Sequence, residues 1–491
     1  MEPRIRLDIF LTLSLTFFIS ACGGTSGGGA GSSPPASAAH EWTWMTGANE
    51  DTPFDNSDPV YGTQGVASAA NTPGGRNSGA SWTDHSGNLW LFGGDGLDAN
   101  VTEGSLNDLW EFIPNTNQWV WVSGSDRADQ SGVYGVLGTA ATSNVPGGRT
   151  NSVAWADGGG NLWLFGGLGY DSNGAYGYLN DLWEFNPSSE EWTWVSGSST
   201  VQGAEVAIYG AMGVAAPGNV PRGFAEATGW ADSNGNLWLF GGYAYDGTGS
   251  EGYGWYNNLW KFDPGTAEWT WVSGGGPNND QPGVYGMEGV PSPANVPGSR
   301  SGAVSWIDSS GKLWLFGGNS GVGLFNDLWN FNPTSGQWTW ISGASGPGAG
   351  SAGLPGQYGT MGIASVSNVP GGREDASGWI DSSGNLWLFG GDGYDSTLSS
   401  SGGVWLDDLW EFNPSNNAWK WVNGYNIGNQ PGVYGVKGMP SANNVPGCRY
   451  SASSWIDSDG NFWIFAGWGN DDNYAEAGAT ILNDMWRYEP N

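Results

Sequence analysis

Residues 161–194 read NLWLFGGLGYDSNGAYGYLNDLWEFNPSSEEWTW, and this stretch recurs with variation six times along the 491-residue chain. Its two central glycines mark each copy, and they become Ala-Gly in the sixth. These pairs are Gly93-Gly94, Gly166-Gly167, Gly241-Gly242, Gly317-Gly318, Gly390-Gly391 and Ala466-Gly467. Consecutive copies are 73, 75, 76, 73 and 76 residues apart. A nearly constant period indicates a repeat architecture.

Each copy contains four segments with the composition of β-strands. In the second copy they are residues 150–155, 162–165, 182–185 and 192–195. The LWLF run at 162–165 is continuously apolar, which predicts a strand buried on both faces. Turn-forming sequences such as DGGGN at 157–161 separate the segments, with Asp at the start and Gly near the end. The pattern therefore predicts four antiparallel strands per copy.

Six copies of four antiparallel strands predict an all-β, six-bladed β-propeller. The sixth copy ends with its third strand, at 483–488, and lacks the WTW segment of the others. The same sequence, EWTW, stands at residues 41–44, near the other end of the chain. We expect residues 41–46 to complete the last blade as its outermost strand. This closes the ring and leaves no open edge.

The diglycine, the NDLWEFNP segment and the WTW segment together resemble the kelch repeat. The resemblance extends over residues 41–491 and implies a single kelch-type propeller. By fold, such a domain is related to the central domain of galactose oxidase. The copper activity of that enzyme is not expected, because His40 lies in an N-terminal tether, His85 in a short turn, and Cys448 has no ligand partners in the sequence pattern.

The N-terminal residues have the features of an export signal. Two arginines precede an apolar run at residues 7–19, which is too short to span a membrane. The following Ile-Ser-Ala-Cys22 resembles the lipobox of bacterial lipoproteins. That resemblance implies a signal peptide at 1–21, a lipid on Cys22 such as diacylglycerol and palmitate, and a Gly/Ser/Pro tether at 22–40. Because Gly23 follows the cysteine, we expect an outer-membrane lipoprotein of the cell envelope. The alternative is an ordinary secretory signal.

The net charge restricts the partners. The chain has 14 Lys and Arg residues against 47 Asp and Glu residues, for a net charge of −33. Nucleic-acid binding is excluded, because it needs a basic face. Self-repulsion of this size favours a soluble monomer attached to the membrane only through its lipid.

A set of aspartates invites a calcium hypothesis. Each lies four residues after the second glycine of its copy, and Val322 replaces it in the fourth copy. The set is Asp98, Asp171, Asp246, Asp395 and Asp471. Carboxylates are suitable Ca²⁺ ligands. The alternative is that each caps its own turn. No other cofactor is expected.

Most of the 33 tryptophans belong to the scaffold. Five per copy, 30 in all, occupy fixed strand positions, which indicates packing between blades. The other three are Trp255, Trp405 and Trp468, all between the second and third strands. Tyrosines accompany them there, including Tyr170, Tyr245 and Tyr394. Loops carry function more often than strands do. These aromatics are therefore candidate contacts for a glycan or protein ligand, on the face to which both long connections of each copy are assigned. The alternative is that they shield that face.

An arginine precedes each innermost strand, and we expect a structural role for it. The six are Arg76, Arg149, Arg222, Arg300, Arg373 and Arg449. The partners would be the aspartates of the NDLW segments, namely Asp108, Asp181, Asp327, Asp408 and Asp484. A feature repeated in every copy is more typical of structure than of a specific site.

Three acidic residues break the repetition. Glu226, Glu374 and Asp375 follow the arginine in only two copies, where a central pocket would be. They are weak candidates for catalysis by a polysaccharide hydrolase or lyase. The leading hypothesis is a cell-envelope module that binds a glycan or a protein. The remaining alternative is a structural surface protein.

Overall fold

The computed structural model describes residues 40–49, 58–204, 206–245, 252–349, 353–397, 403–472 and 480–490. Within these ranges the chain is nearly all β-structure, with one short helix at Val201–Ala204. Six four-stranded antiparallel units follow one another; chain order matches spatial order in five of them, and in the sixth the outermost strand comes from the N-terminal part of the chain. The predicted β-propeller fold is confirmed.

The four strands of each unit are named here from the centre outward. The innermost strands are Ala80–Thr83, Val153–Ala156, Thr228–Ala231, Val304–Ile307, Ser377–Ile380 and Ser453–Ile456. The second strands are Leu89–Leu97, Leu162–Tyr170, Leu237–Phe240, Leu313–Phe316, Leu386–Gly393 and Phe462–Phe465. The third strands are Glu103–Ile113, Tyr176–Asn186, Leu259–Asp263, Leu328–Asn332, Val404–Asn413 and Met485–Tyr488. The outermost strands are Gln118–Ser123, Glu191–Ser196, Glu268–Ser273, Gln337–Ser342, Ala418–Asn423 and Trp42–Thr46.

Short strands extend the units on the face where the second and third strands are connected, called the loop face below. They are Arg76–Asn77, Arg149–Thr150, Tyr243–Tyr245, Tyr253–Trp255, Gly323–Leu324, Gly348–Ala349, Arg373–Glu374, Arg449–Tyr450, Trp468–Gly469 and Thr480–Ile481.

The two ends of the chain meet in the sixth unit. The N-terminal strand Trp42–Thr46 pairs antiparallel with Met485–Tyr488, with Trp42 opposite Tyr488 and Trp44 opposite Trp486. The predicted closure by an N-terminal strand is therefore confirmed. It satisfies the outer hydrogen-bonding edge of the C-terminal strand, which would otherwise be open.

A circle of six main-chain hydrogen bonds surrounds the centre of the loop face. Each unit contributes one residue with φ between 52° and 63°, whose N–H donates to its counterpart in the preceding unit at 2.8–3.1 Å. The residues are Ser78, Asn151, Glu226, Gly302, Asp375 and Ser451. Because Ser78 donates to Ser451, the circle is closed. It fixes the positions at which side chains reach the centre.

Tryptophans of the strands join neighbouring units. The indole N–H of Trp82 donates to the carbonyl of Trp163 in the next unit at 2.8 Å, and Trp455 donates likewise to Trp90. Trp163 in turn donates through its indole to Asp157 of the turn before its strand, at 2.9 Å. These side chains are 3% exposed. The interpretation of the strand tryptophans as packing residues agrees with these contacts.

A phrase with GVYG near its start and NVPG near its end recurs before the innermost strands, as at 130–149, 281–300 and 430–449. Its middle part lies on the rim of the propeller, along the outermost strand of the unit that it enters. Gly138 N–H donates to the Trp194 carbonyl at 2.7 Å, and the Asn144 side chain donates to the Trp192 carbonyl at 2.9 Å. The assignment of this whole connection to the ligand face was therefore wrong. The physical reason is that an outermost strand presents unpaired main-chain groups, which the connection satisfies.

Candidate functional site

The ring arginines form buried networks in five units. In the second unit, Arg149 Nη1 and Nη2 donate to Asp181 Oδ1 and Oδ2 at 2.8 Å each. The Tyr134 hydroxyl and the Trp183 indole also donate to Asp181, at 2.5 and 2.7 Å. The equivalent pairs are Arg76–Asp108, Arg300–Asp327, Arg373–Asp408 and Arg449–Asp484. Each pair is almost completely removed from solvent. These arginines are therefore committed to the fold.

Arg222 is not a member of this ring, which corrects the sequence-based assignment. Aligned on the shared NVP, Phe224 occupies the position of the ring arginine, and Asn258 occupies that of the aspartate. Arg222 instead donates to the Tyr245 carbonyl at 2.8 Å and lies 4.7 Å from the ring centre of Tyr256. The sequence carried a signal of this change, because the third copy has NNLW where the others have an aspartate.

Three aspartates of the proposed calcium set, Asp98, Asp171 and Asp395, accept hydrogen bonds from the main chain of their own turns. Asp171 Oδ1 accepts the main-chain N–H groups of Asn173 and Ala175 at 2.7 and 2.9 Å, and Oδ2 accepts that of Val201 at 3.0 Å. Asp98 and Asp395 are hydrogen-bonded in the same way. Burial opposes the ionised form of Asp98, but hydrogen bonds from the main-chain N–H groups of Thr102, Asn100 and Ala128 lower the pKa of Asp98 below its usual value. In the described part of the chain, no cluster of three or more acidic, histidine or cysteine side chains could hold a metal ion.

The three asymmetric acidic residues meet at the centre of the loop face, around Gly302 of the fourth unit. Ser301 Oγ donates to Glu226 Oε2 at 2.8 Å, and Ser451 Oγ donates to Asp375 Oδ2 at 3.1 Å. The Asn319 amide donates to Glu374 Oε1 at 3.0 Å. A Cβ on Gly302 would overlap the Asp375 carboxylate, so glycine makes room for this side chain. The structure thus brings together residues from the third and fifth units that are far apart in sequence.

Mutual proximity and burial favour the protonated forms of these carboxyl groups. Burial, together with the charges of Asp375 and Glu226, raises the pKa of Glu374 to about 9. Burial and the Glu226 charge raise the pKa of Asp375 to about 7. Burial also raises the pKa of Glu226. At neutral pH the group therefore carries protons that isolated carboxylates would have lost.

Two residues missed in the sequence complete this cluster. In the sheet, Asp392 lies opposite Glu374 of one neighbouring strand and opposite Trp405 of the other. Burial raises the pKa of Asp392 to about 6. The Trp405 ring lies 6.2 Å from that of Tyr450, at an angle of 31°. Burial raises the pKa of Tyr450 to about 12, to which Asp392 and Asp375 also contribute. Tyr450 was detectable as a non-repeated residue directly after Arg449, whereas Asp392 has a counterpart in Asp95 of the first copy and joins the site through strand register. We call Glu226, Glu374, Asp375, Asp392, Trp405 and Tyr450 the central site.

The other aromatic candidates lie in different surroundings. Trp468 is half-buried and lies opposite Tyr450 on the neighbouring antiparallel strand, at the edge of the central site. Tyr170 packs against Tyr176, and Tyr245 packs against Tyr253, with ring centres 5.0 and 5.2 Å apart. Trp255 lines a separate cavity between the third and fourth units.

Tyr394 is not a surface contact, which corrects its assignment as a ligand candidate. Its side chain is 6% exposed, and a Cβ on Gly353 would overlap its ring. The loop that contains this glycine therefore covers it.

Two predicted features lie outside the described residues. Cys22, with the signal peptide and all of the tether except His40, precedes the described part of the propeller, and Asp246 falls in a gap of the third unit. Among the helices that the structure describes, none has both the length and the apolar character needed to cross a membrane.

Comparison with known proteins gives distant relatives. N-acetylneuraminate epimerase of Escherichia coli strain K12 is 24% identical over 274 residues, and so is that of strain O157:H7. The match covers 48% of this chain and 65% of each relative, so less than two thirds of their length is spanned. No family model matches the chain. These relatives are kelch-type propellers, and the similarity agrees with the fold observed here.

Proposed function

We propose that this protein binds a carbohydrate at the central site. The observation that carries the proposal is the group of Glu226, Glu374 and Asp375, with Trp405 two strands away from Glu374 across Asp392, in a propeller whose other central features repeat. Half-buried aromatic rings can stack on the apolar face of a sugar, while carboxyl groups bind its hydroxyls. A small number of converging polar groups beside an apolar wall is typical of small-molecule sites.

The distribution of asymmetry supports this location. Arg–Asp networks, turn-capping aspartates and strand tryptophans recur around the ring and have structural partners. The central carboxyl groups come only from the third and fifth units, with Gly302 of the fourth unit between them. A ligand without sixfold symmetry is recognised by groups without sixfold symmetry.

Charge favours a neutral sugar over an acidic one. A sialic acid would bring a further carboxylate next to Asp375 and Asp392. The nearest ring arginines along the chain, Arg373 and Arg449, already donate to Asp408 and Asp484. The proposed ligand, a neutral sugar, therefore differs from N-acetylneuraminate, the acidic sugar in the name of the relatives.

Binding to glycan arrays tests the proposal. We expect the soluble propeller to retain neutral glycans, and Trp405→Ala to weaken that binding at least tenfold. Tyr176→Ala is the matched control, because Tyr176 is 50% exposed and lies on the second unit. A blank array together with capture of a protein partner would favour the protein-binding alternative.

A second candidate function is an enzyme that transfers protons on a bound sugar. The observation that favours it is that Glu374 and Asp375 are adjacent buried carboxyl groups, and that burial and neighbouring carboxylates raise the pKa of both. A carboxyl group that keeps its proton near neutral pH can donate it, and a neighbouring carboxylate can accept one. A polysaccharide hydrolase or lyase would use such a pair. The relatives are named as epimerases, which invert a stereocentre, so inversion on N-acetylneuraminate belongs in the same assay. Product formation that is lost in Glu374→Gln, with sugar binding retained, would establish catalysis.

We also propose that the protein is anchored to the cell envelope through Cys22. The lipobox-like Ile-Ser-Ala-Cys22 and the Gly/Ser/Pro residues after it support this proposal. Metabolic labelling with palmitate should mark the wild-type chain and not Cys22→Ser. Equal labelling of both would contradict the proposal.

A further inference from the structure

A cavity of about 490 Å³ lies on the loop face between the third and fourth units, away from the central carboxyl groups. Its walls include Trp255, Tyr285 and Phe325. Asp280, Gln281 and Ser299 also line it. Its volume is in the range of small-molecule sites. It thus combines aromatic surface with hydrogen-bonding groups.

The cavity exists because the fourth unit has a short connection between its second and third strands. In the second unit, this hairpin extends through Tyr176 paired with Tyr170. In the fourth unit it turns back at once, with Asn319 bridged to Leu324. Val322, at its tip, is 69% exposed, where the first, second, fifth and sixth units have a buried aspartate. The truncation leaves the space above Tyr285 unfilled.

Tyr285 is held rigidly at the base of this space. Its hydroxyl donates to Asp327 at 2.6 Å, and its ring centre lies 4.8 Å from that of Trp329. The equivalent tyrosines of four other units are 4–7% exposed, whereas Tyr285 is half-buried. Those tyrosines are Tyr61, Tyr134, Tyr358 and Tyr434. Tyr209 of the third unit is half-buried as well, but Tyr285 is the one of these tyrosines that lines the cavity.

Trp255 forms the opposite wall and is also fixed. A Cβ on Gly321 would overlap its indole, so the glycine lets the two units approach closely. The main-chain N–H of Trp255 donates to Asp280 Oδ1 at 3.0 Å. Gln281 is anchored through its side-chain amide to the Asn279 carbonyl at 2.7 Å, and its main-chain N–H donates to Ser299 Oγ at 2.8 Å. The polar and aromatic groups are therefore preorganised, which lowers the cost of ordering them on binding.

We propose that this cavity is a second carbohydrate site, which holds a neutral sugar ring against Trp255 and Tyr285. The apolar C–H face of a pyranose fits an aromatic wall. Its hydroxyls can donate to the Asp280 carboxylate and exchange hydrogen bonds with Gln281. The class of ligand is shared with the proposed function, but the residues are different, so the two sites are tested separately.

The test is calorimetric titration of the soluble propeller with neutral oligosaccharides, using maltohexaose, cellohexaose and chitohexaose as probes. We expect at least one to bind, with affinity at least tenfold weaker in Trp255→Ala. Val322→Trp should have a similar effect, because it adds a large side chain at the cavity from an exposed position and does not disturb the core. Tyr176→Ala is the control and should bind like wild type.

The pattern of loss separates the two sites. Binding lost in Trp405→Ala but unchanged in Trp255→Ala and Val322→Trp would overturn the cavity site and leave the central site standing. Binding lost only in the two cavity variants would support the cavity and contradict the central site. Absence of binding to every probe would overturn both.

Discussion

Arg149 and Asp181 face each other through two parallel hydrogen bonds of 2.8 Å, in a position where neither side chain is exposed to solvent. Tyr134 and Trp183 add two further donors to the same carboxylate. The Tyr134 hydroxyl comes from the rim connection, so the network ties that connection to the sheet. The third unit lacks the aspartate: Asn258 donates to the Tyr209 hydroxyl at 2.7 Å, and the Arg222 guanidinium lies close enough to Tyr209 to influence its pKa.

We predict that Asp181→Ala lowers the free energy of unfolding by about 3–5 kcal/mol, because it leaves Arg149 buried without its partner. The double variant Arg149→Phe with Asp181→Asn places at these two positions the residues that the third unit has there, Phe224 and Asn258, and should cost less than the single substitution. Chemical denaturation curves measure both. A double variant less stable than Asp181→Ala would contradict the interpretation that Phe224 and Asn258 replace the charged pair as a set.

Closure by the N-terminal strand yields a second prediction. Trp42 is 1% exposed, and its ring centre lies 5.0 Å from that of Tyr488 and 5.3 Å from that of Phe389. Trp42→Ala should therefore destabilise the whole propeller by about 3–5 kcal/mol. The melting temperature measures this, with the exposed Tyr176→Ala as control. Equal melting temperatures for the two variants would show that the strand is dispensable.

The central carboxyl groups predict a pH dependence of stability. Burial and neighbouring carboxylates raise the pKa of Glu374 from its ordinary value of 4.5 to about 9 in the folded protein. The folded state then binds more protons than the unfolded state between these values, so stability falls as pH rises from about 5 to 9. Glu374→Gln should make this decline shallower.

Denaturation midpoints at pH 5, 7 and 9 measure the effect, and Glu288→Gln is the matched control because Glu288 is exposed on the rim. A wild-type slope that is unchanged in Glu374→Gln would show that this carboxyl group ionises normally in the folded protein.

The turn-capping aspartates lead to a prediction about metal. Asp171 accepts three main-chain N–H groups and needs no cation to do so. The melting temperature should therefore be the same with EDTA and with added Ca²⁺, while Asp171→Ala should lower it, since three donors lose their acceptor. Stabilisation by Ca²⁺ that disappears in Asp171→Ala would support the calcium hypothesis.

The propeller could be predicted because its signals are local and repeated. LWLF runs, Asp–Gly turns and fixed tryptophans define the strands six times over, and the displaced EWTW at 41–44 indicates where the ring closes. Periodicity does not show which way a long connection folds. The middle of the GVYG phrase lies on the rim because the outermost strand needs partners, a tertiary requirement with no short-range pattern.

The central site was partly predictable because some of its residues do not repeat from copy to copy. Glu226, Glu374 and Asp375 stood out because they break the repeat. Asp392 and Tyr450 join them only through strand register, and the substitution of Phe224 for the ring arginine was hidden by the nearby Arg222. The cavity beside Trp255 depends on the length of a neighbouring hairpin, so its composition alone did not reveal it.

We propose that the central site binds a neutral sugar and that Trp405 is a contact in this binding. The most direct measurement is the affinity of the soluble propeller for matched neutral and sialylated glycans, compared between wild type, Trp405→Ala and Tyr176→Ala. We predict that wild type and Tyr176→Ala bind the neutral glycan more tightly than its sialylated form, and that Trp405→Ala loses at least tenfold in affinity. Preference for the sialylated glycan, or equal affinity in Trp405→Ala, would contradict the account.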